Sequence, residues 1–304
     1  MYSYKKLLVG ISLQPQDGTS IRYASMISRL AQSQKITFLH VADTLEAEEG
    51  ICTLYPELQT ACNGSTTQEI EKLVKQHYDG HSETQLECEA VAGSPLVELL
   101  RRAKQEDIDL IIMRKRAGDT PSGHLSTKLA RKAPCSLLFV PEGAKSWYEK
   151  ILVAVDFSEN AKLAVETAVD FAVANHIDEI ECLHIYSVPL GYYKTGKSFE
   201  RFAEIMKGHA EKNFQEFIEE IDLKGISAVP KFKLEKKEQK GIWEEVLEER
   251  DVHLLIMGAR GRRAGAGVLL GSITEYLIQT TKVPLLAVKD KGTGMSLLDA
   301  ILEL

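Results

Sequence analysis

Three separated segments of the chain recur at one constant offset. The 304-residue sequence matches itself at a distance of 144 residues in three places, and a fourth match lies at a distance of 148 residues. A constant offset over separated segments indicates an internal repeat, so we predict two copies of one domain. The matched pairs are KKLLVGIS (5–12) with EKILVAVD (149–156), ITFLHVAD (36–43) with IECLHIYS (180–187), DIDLIIM (107–113) with DVHLLIM (251–257), and CSLLFV (135–140) with VPLLAV (283–288).

The repeat also suggests where each domain begins and ends. We predict the first domain over residues 1–143 and the second over residues 149–290. Each is long enough to bury a hydrophobic core of its own. Residues 291–304 end in LLDAILEL, which predicts an apolar helical tail that must cover its apolar side, on this chain or at a dimer contact.

The repeated segments are short apolar runs, which is typical of strands. ILVAV and LLIM carry no polar alternation, which suits strands buried on both faces of a parallel sheet. Helical patterns lie between the strands, and an apolar stripe at helical spacing follows ILVAVD, formed by Leu163, Ala164, Ala168, Phe171 and Ala172. Strands alternating with helices predict an α/β fold with a doubly wound sheet. Ligands of such sheets bind beyond the carboxyl ends of the strands.

Composition and charge narrow the classes of partner. The net charge is −7 and the isoelectric point is about 5.7, which argues against general nucleic-acid binding. No apolar run approaches the roughly 18 residues of a membrane-spanning helix, and the N-terminus does not read as a signal peptide. Five scattered cysteines without a CxxC pair indicate free thiols in a reducing compartment, so we predict a cytoplasmic protein; they are Cys52, Cys62, Cys88, Cys135 and Cys182.

The loop after the fourth strand of the second copy is rich in glycine. It reads MGARGRRAGAGVLLGSITEYL and carries five glycines between residues 258 and 271. Glycine lets backbone N–H groups approach an anion without an intervening Cβ, and the helix that starts near Ser272 adds a favourable dipole. Arg262 and Arg263 add positive charge. The loop therefore predicts a phosphate-binding site.

The spacing of these glycines resembles a known signature. Gly258, two residues, Gly261, nine residues, Gly271 and Ser272 resemble the pattern of the ATP-binding universal stress proteins. KILVAVDFSENA (150–161) and ECLHIYS (181–187) resemble the first two strands of that family, and the match covers both halves of the chain. The chain is thus similar to a tandem universal stress protein. The resemblance implies two Rossmann-like domains, each a five-stranded parallel sheet in the order 3-2-1-4-5 flanked by helices.

The same resemblance implies a ligand and the residues that hold it. The ligand would be ATP or AMP, with Mg²⁺ as an optional companion, and no catalytic or metal-ligating side chain is implied. Asp156 and the backbone near Ile185 would hold adenine and ribose. The remaining cofactor-binding positions, most of them around the phosphates, are Met257, Gly258, Gly261, Arg262, Gly271, Ser272, Ile273 and Thr274.

Several of these residues have structural alternatives. Ser272 with Glu275 also fits a capping box, S-x-x-E, and Asp156 could simply start the turn into the first helix. His184 and its counterpart His40 end buried strands and are interpreted as structural histidines. GAGVLLG at 265–271 resembles a dinucleotide fingerprint, but it follows the fourth strand, whereas that fingerprint follows the first.

The first copy has lost the glycine signature. Its loop, MRKRAGDTPSGHLSTKL, is four residues shorter, and an arginine disfavours the positive φ that glycine allows. We therefore predict that residues 1–143 do not bind ATP in this manner and instead form a partner surface. Arg114, Lys115 and Arg116 are interpreted as a solvated basic turn, with an anion site as the alternative. The replacements are Ser12 for Asp156, Arg114 for Gly258, Ala117 for Gly261, and Gly123 and His124 for Gly271 and Ser272.

The segment GYYKTGKS at 191–198 fits the phosphate-loop pattern of nucleoside triphosphatases letter for letter. A phosphate loop follows the first strand of its domain and needs a later strand that ends in an acid. This segment follows the second strand, and the later strand LLIM ends in glycine. We therefore reject it as the phosphate site and predict a loop beside the nucleoside end of the ligand, either a lid or an exposed polar loop.

Together these features predict a regulatory ATP-binding or AMP-binding stress protein with one nucleotide site, in the second half. The nucleotide would act as a signal or as a stabiliser, and an enzymatic role is not favoured. A slow ATPase or phosphotransferase using Asp156 or Ser272 is one alternative, and a nucleotide-free interaction module is another. Predicted partners are a homodimer or an intramolecular pair of the two halves, and a signalling protein, without nucleic acid or membrane.

Overall fold

The computed structural model describes the chain over residues 4–42, 57–115, 125–145, 149–235, 239–249, 251–261 and 270–292, with the backbone alone at 57–64 and 249. The chain divides into two compact units. The first comprises Met1–Ser146 with Asp290–Leu304, and the second comprises Trp147–Lys289. None of the helices in these described ranges combines the length and apolarity needed to cross a membrane.

The first unit alternates strands and helices from its start. Its elements are β1 (Lys6–Ile11), α1 (Asp17–Ala31), β2 (Lys35–Ala42), α2 (Glu57–His77), β3 (Gln85–Ala92), α3 (Pro95–Gln105), β4 (Leu110–Lys115), α4 (Leu125–Lys132) and β5 (Ser136–Pro141). The strands form a parallel sheet in the order β3-β2-β1-β4-β5. Helices α1 and α2 pack together, as do α3 and α4, so both faces of the sheet are covered.

The second unit repeats the same arrangement. Its elements are β6 (Ile151–Ala154), α5 (Glu159–Ala174), β7 (Glu179–Tyr186), a 3₁₀ turn (Tyr192–Thr195), α6 (Phe199–Glu219), β8 (Ser227–Leu234), α7 (Gln239–Glu249), β9 (Leu254–Gly258), α8 (Ser272–Thr280) and β10 (Leu285–Val288). The parallel order is β8-β7-β6-β9-β10. Counted within its own unit, each sheet has the strand order 3-2-1-4-5, which confirms the predicted fold class.

The central strands are buried on both faces, as their unbroken apolar runs predicted. Leu254, Leu255 and Ile256 are consecutive residues of β9, and none of them is exposed to solvent. Because neighbouring residues of a strand point to opposite faces, full burial of all three means that helices cover both sides of the sheet. The strand order reverses between β6 and β9, so the carboxyl ends of these two strands border the expected ligand crevice.

The segment that fits the phosphate-loop pattern forms a 3₁₀ turn and a helix start. Ser198 is the N-cap of α6, and its hydroxyl accepts a hydrogen bond from the backbone N–H of Arg201 at 3.2 Å. Gly191 and Gly196 have positive φ angles of 97° and 70° and bound the turn. The serine of the pattern therefore caps a helix, and the backbone does not wrap an anion as a phosphate loop does.

The segment after the last strand belongs to the first unit. The ammonium of Lys291 contacts the carboxylates of Asp107 at 2.8 Å and Asp109 at 2.6 Å. The backbone N–H of Gly292 donates to the carbonyl of Pro134 at 2.8 Å. Residues 293–304, which form the rest of the tail predicted over residues 291–304, lie outside the described residues.

Candidate functional site

Asp156 follows β6. One of its carboxylate oxygens stabilises the turn into α5, and the other faces the glycine loop. Its Oδ1 accepts hydrogen bonds from the N–H and the hydroxyl of Ser158, at 3.2 and 2.6 Å, and Ser158 in turn caps α5 by accepting from the N–H of Ala161. Phe157, between them, has a φ of +61°, an uncommon conformation for a bulky residue. The other oxygen, Oδ2, faces Gly261: a Cβ built on that glycine would lie 2.9 Å from it. The turn and ligand interpretations of Asp156 are therefore compatible.

A side chain would clash at Gly258 and Gly261, and it would be tight against the Thr274 hydroxyl at Gly271. A Cβ on Gly258 would lie 2.7 Å from Cβ of Asn160, at the start of α5. A Cβ on Gly271 would lie 3.6 Å from the backbone nitrogen of Gly261. Gly271 is also bonded to this strand end, because its N–H donates to the carbonyl of Ala259 at 2.9 Å. The described parts of the glycine loop thus return to one point beside Asp156.

Helix α8 begins at this point and leaves donors available. Gly271 is its N-cap, without a side-chain cap, and Ser272 is already the first helical residue. The capping-box alternative for Ser272 is therefore wrong, since a capping box needs the serine at the N-cap. The Ser272 side chain is exposed, and a helix gives the N–H groups of its first three residues no intrahelical acceptor. Here those residues are Ser272, Ile273 and Thr274.

Thr274 joins the helix start to the strand end. Its side chain is buried, and its hydroxyl donates to the carbonyl of Gly258 at 3.2 Å. The hydroxyl therefore already has a structural acceptor. A ligand contact at this position would use the backbone N–H of Thr274.

Of the remaining predicted positions, Ile185 lies beside Asp156, Met257 lies inside a buried strand, and Arg262 is not described. Ile185 lies on β7 beside Asp156 in register, because β6 and β7 pair as Ala154 with Leu183 and run parallel. Met257 lies within β9, paired with Ala287, and only 5% of it is exposed. Arg262 lies outside the described residues, together with the rest of the loop from 262 to 269.

Arg260 is a residue of this site that the sequence interpretation did not single out. It stands between Gly258 and Gly261, and its Nε is buried without a hydrogen-bond partner among the described residues. A buried guanidinium nitrogen is costly unless it is hydrogen-bonded. The sequence feature that points to Arg260 is its position between two signature glycines. The positive charge of the loop was instead assigned to the consecutive residues Arg262 and Arg263.

The equivalent place in the first unit is occupied by an internal ion pair. Asp17, in the first turn of α1, is fully buried, and its carboxylate accepts from the N–H and hydroxyl of Ser12 and from the N–H of Gln14, at 2.9, 2.8 and 3.0 Å. The Nε of Arg114 lies 3.7 Å from Oδ1 of Asp17, and the Arg114 side chain is only 12% exposed. Arg114 also reaches Gln16, whose counterpart in the second unit is the Asn160 that faces Gly258.

Lys115 extends this buried basic site. It is the last residue of β4, and burial lowers the pKa of its ammonium from 10.5 to about 8. The interpretation of Arg114 and Lys115 as a solvated basic turn is therefore wrong. The error arose because sequence proximity to a loop suggested exposure, whereas both residues still belong to the strand. Arg116, Ala117, Gly123 and His124 lie outside the described residues.

The two histidines make the same contact in both units. Nδ1 of His40 lies 2.9 Å from the carbonyl oxygen of Ile11, and Nδ1 of His184 lies 2.8 Å from that of Val155. A carbonyl oxygen only accepts, so Nδ1 carries the hydrogen in each case. The bond ties the second strand to the end of the first strand in both units, which is a structural role.

Two further groups of polar side chains lack the features of a reactive site. Glu87, Glu89 and Glu106 cluster on the first unit, where Lys35 contacts Glu87 and Glu106 at 2.5 and 2.7 Å and Arg102 contacts Glu89 and Glu106. These two cations offset two of the three negative charges of the cluster. Among the described cysteines, Cys135 and Cys182 are buried thiols that form no disulfide, and burial raises the pKa of Cys182 to about 12.

Comparison with known proteins identifies the family. The model of the "universal stress protein family" matches residues 3–141 and again residues 148–289. A universal stress protein from Methanocaldococcus jannaschii is 30% identical over 163 residues, covering 48% of this chain and 98% of that protein. One from Synechocystis is 27% identical over 154 residues, covering 47% of this chain and 98% of that protein.

Solved structures of tandem length agree with this in fold. A universal stress protein from Archaeoglobus fulgidus superposes with a TM-score of 0.62 at 18% identity, covering 96% of this chain and 98% of that chain. A protein of unknown function from Pseudomonas aeruginosa superposes with a TM-score of 0.65 at 15% identity, covering 99% and 98%. Since the family model matches both halves, this chain belongs to the universal stress protein family and carries two of its domains in tandem.

Proposed function

We propose that the chain is a nucleotide-binding stress-response regulator whose only site for ATP or AMP is in the second unit. The observation that carries this proposal is the convergence of three features at one strand end. They are the Asp156 carboxylate, whose Oδ2 faces Gly261, the close approach of Gly261 and Gly271, and the start of α8.

Each feature suits a different part of a nucleotide. The backbone donors at the start of α8 and the helix dipole favour phosphate oxygens. Arg260 adds a cation whose buried Nε has no partner among the described residues, and a phosphate oxygen would supply one. The carboxylate of Asp156 is an acceptor suited to ribose hydroxyls or an adenine amino group.

The first unit offers a contrast within one chain. There the carboxylate of Asp17 takes the donors of the turn, and Arg114, at the position equivalent to Gly258, directs its guanidinium toward Asp17 and Gln16. The first unit therefore places a bulky, mostly buried side chain where the second unit has a glycine. The proposal of a single site therefore rests on this difference. The first unit has the Arg114 side chain packed beside Asp17, and the second unit has no side chain at the matching position, Gly258.

The direct test is binding of ATP and AMP to the full chain and to the Gly261→Val variant. A Cβ at position 261 would contact the Asp156 carboxylate at 2.9 Å, so the variant should lose binding. In the wild-type chain, ligand at about 100 times its Kd should stabilise the native state by about 2.7 kcal/mol. The measurement is titration calorimetry with a parallel melting curve.

Gly208→Ala is the matched control for this test. Gly208 lies on α6 with open space around its Cβ position, so its substitution should leave nucleotide affinity unchanged. Equal affinity in wild type and Gly261→Val would contradict the proposed location. Absence of binding by the wild type would contradict the function itself, and steady release of ADP from ATP would favour the slow ATPase instead.

A further inference from the structure

The segment between β7 and α6, residues 187–198, differs in charge from the rest of the chain. It contains Lys194 and Lys197 and no acidic residue, whereas the whole chain carries a net charge of −7. We call it the basic turn. Both lysine side chains are exposed. The positive charge of the basic turn is therefore available to an anionic group.

The basic turn is a built structure between two glycine hinges. Backbone hydrogen bonds run from Lys194 to Gly191 at 3.0 Å and from Gly196 to Tyr193 at 3.1 Å. Gly191 and Gly196 have positive φ, and a Cβ on either would meet nothing within 4 Å. Glycine reaches both positive and negative φ readily, so these two residues can change conformation at low cost.

The basic turn also exposes two large side chains with apolar surface. Leu190 is fully exposed and Tyr193 is 67% exposed. Tyr192, by contrast, packs on the start of α6, with its ring centroid 5.6 Å from that of Phe199 and 6.3 Å from that of Phe202. Covering Leu190 and the Tyr193 ring would be favourable, at about 25 cal/mol for each Å² removed from water.

The position of the basic turn brings it to the edge of the sheet that carries the candidate site. It leaves the carboxyl end of β7, which is paired in parallel with β6, the strand that leads to Asp156. Gly191, the first hinge, is the fifth residue after Tyr186, and an extended chain of five residues reaches at most about 18 Å. That reach exceeds the distance across several strands, since neighbouring strands lie about 4.8 Å apart.

We propose that the basic turn is a phosphate clamp of the nucleotide site. As residues 192–195 rotate about Gly191 and Gly196, Lys194 and Tyr193 move over the ligand. Lys194, with Lys197 next to the second hinge, pairs with the outer phosphates of ATP, and Tyr193, with Leu190 next to the first hinge, covers the ligand. The proposal rests on the proposed nucleotide site. It also explains how that site would distinguish ATP from AMP, because AMP lacks the outer phosphates that the lysines contact. The clamp then reports, at the protein surface, which nucleotide is bound.

The test compares two double variants of the full chain that remove the same charge. Lys194→Ala with Lys197→Ala should weaken ATP binding by about fivefold to tenfold, because two exposed ion pairs are lost, and should leave adenosine binding unchanged. The control is Lys150→Ala with Lys282→Ala. These two lysines are exposed just before β6 and β10, at the opposite, amino end of the sheet, and should have no effect.

Limited trypsin digestion gives a second readout on the wild-type chain. Trypsin cleaves after lysine, and saturating ATP should slow cleavage after Lys194 and Lys197 more than saturating AMP does, while cleavage after Lys75, which is exposed on α2 of the first unit, stays unchanged. If the wild type binds ATP but the Lys194/Lys197 variant binds it equally well, or if ATP gives no protection, the clamp is overturned and the site remains. If the wild type binds no nucleotide, both proposals fail.

Discussion

At the scale of single residues, the two copies diverge through a small set of paired exchanges. Ala161 of the second copy corresponds to Asp17 of the first, and Gly258 corresponds to Arg114. Each exchange alone would place an unpaired charge in a buried position, which is costly. Together they form an ion pair with a side chain that is only 12% exposed on one partner and fully buried on the other. The pair is therefore expected to stabilise the first unit only while both members are present.

Replacing Arg114 by methionine tests this dependence. The variant keeps most of the side-chain volume but leaves the Asp17 carboxylate buried without its cation, so we expect the free energy of unfolding to fall by about 2 kcal/mol. Equilibrium urea unfolding measures the change. Arg201→Met is the matched control, because the Arg201–Glu204 pair is 67% exposed on both partners and should change stability by less than about 0.5 kcal/mol. Equal effects of the two substitutions would contradict the buried role of Arg114.

Lys115 should make stability depend on pH in the alkaline range. Burial lowers its pKa from 10.5 to about 8, so between these values the unfolded chain binds a proton that the folded chain has lost. The free energy of unfolding therefore rises with pH through this window. Below about pH 8 the folded state bears the full cost of burying the charged Lys115 ammonium. We expect Lys115→Met to be more stable than the wild type at pH 7, with a difference that shrinks toward pH 10.5. Unfolding curves at several pH values measure it, and the exposed Lys150→Met should show no such trend.

At the scale of elements, the sequence predicted what depends on local pattern and missed what depends on contacts between distant segments. The strands and the start of α8 follow from apolar runs, the repeat and the glycine spacing, whereas the strand order was expected only from the resemblance to the family. The Asp17–Arg114 pair could not be predicted, because its members are far apart in sequence and Asp17 lies in no motif, although Arg114 stands at the place of the signature glycine Gly258. Arg260 was overlooked because burial of one nitrogen is a property of the folded loop. The capping-box alternative for Ser272 was wrong because the N-cap of α8 is Gly271, one residue before Ser272.

Helix α6 offers a clean test of local propensity. Gly208 lies in its interior, exposed, with no atom within 4 Å of a built Cβ. Alanine at this position would reduce the entropy lost on folding and meet no neighbour, so we expect Gly208→Ala to raise the free energy of unfolding by about 0.5 to 1 kcal/mol. Chemical denaturation followed by circular dichroism measures the gain. A loss of stability would mean that the exposed glycine is required for a contact with another chain.

At the scale of the whole molecule, the repeat provides two units of one fold. The side chains beside equivalent strand ends differ between the two units. The second unit joins Asp156, the signature glycines and the start of α8, whereas the first fills the matching place with its own side chains. A nucleotide that binds one unit stabilises that unit by mass action and leaves the intrinsic stability of the other unchanged. The tandem arrangement thus predicts an unequal response to ligand within one polypeptide.

This inequality can be followed with a single tryptophan. The chain has two tryptophans, and Trp147→Phe leaves only Trp243, which is 4% exposed on α7 of the second unit. We expect saturating ATP to raise the melting midpoint reported by Trp243 fluorescence by several degrees, because about 2.7 kcal/mol of stabilisation acts on that unit. Circular dichroism, which reports both units, should then show part of its transition unmoved. In the Gly261→Val background the fluorescence shift should vanish; a shift that persists there would place the nucleotide elsewhere in the chain.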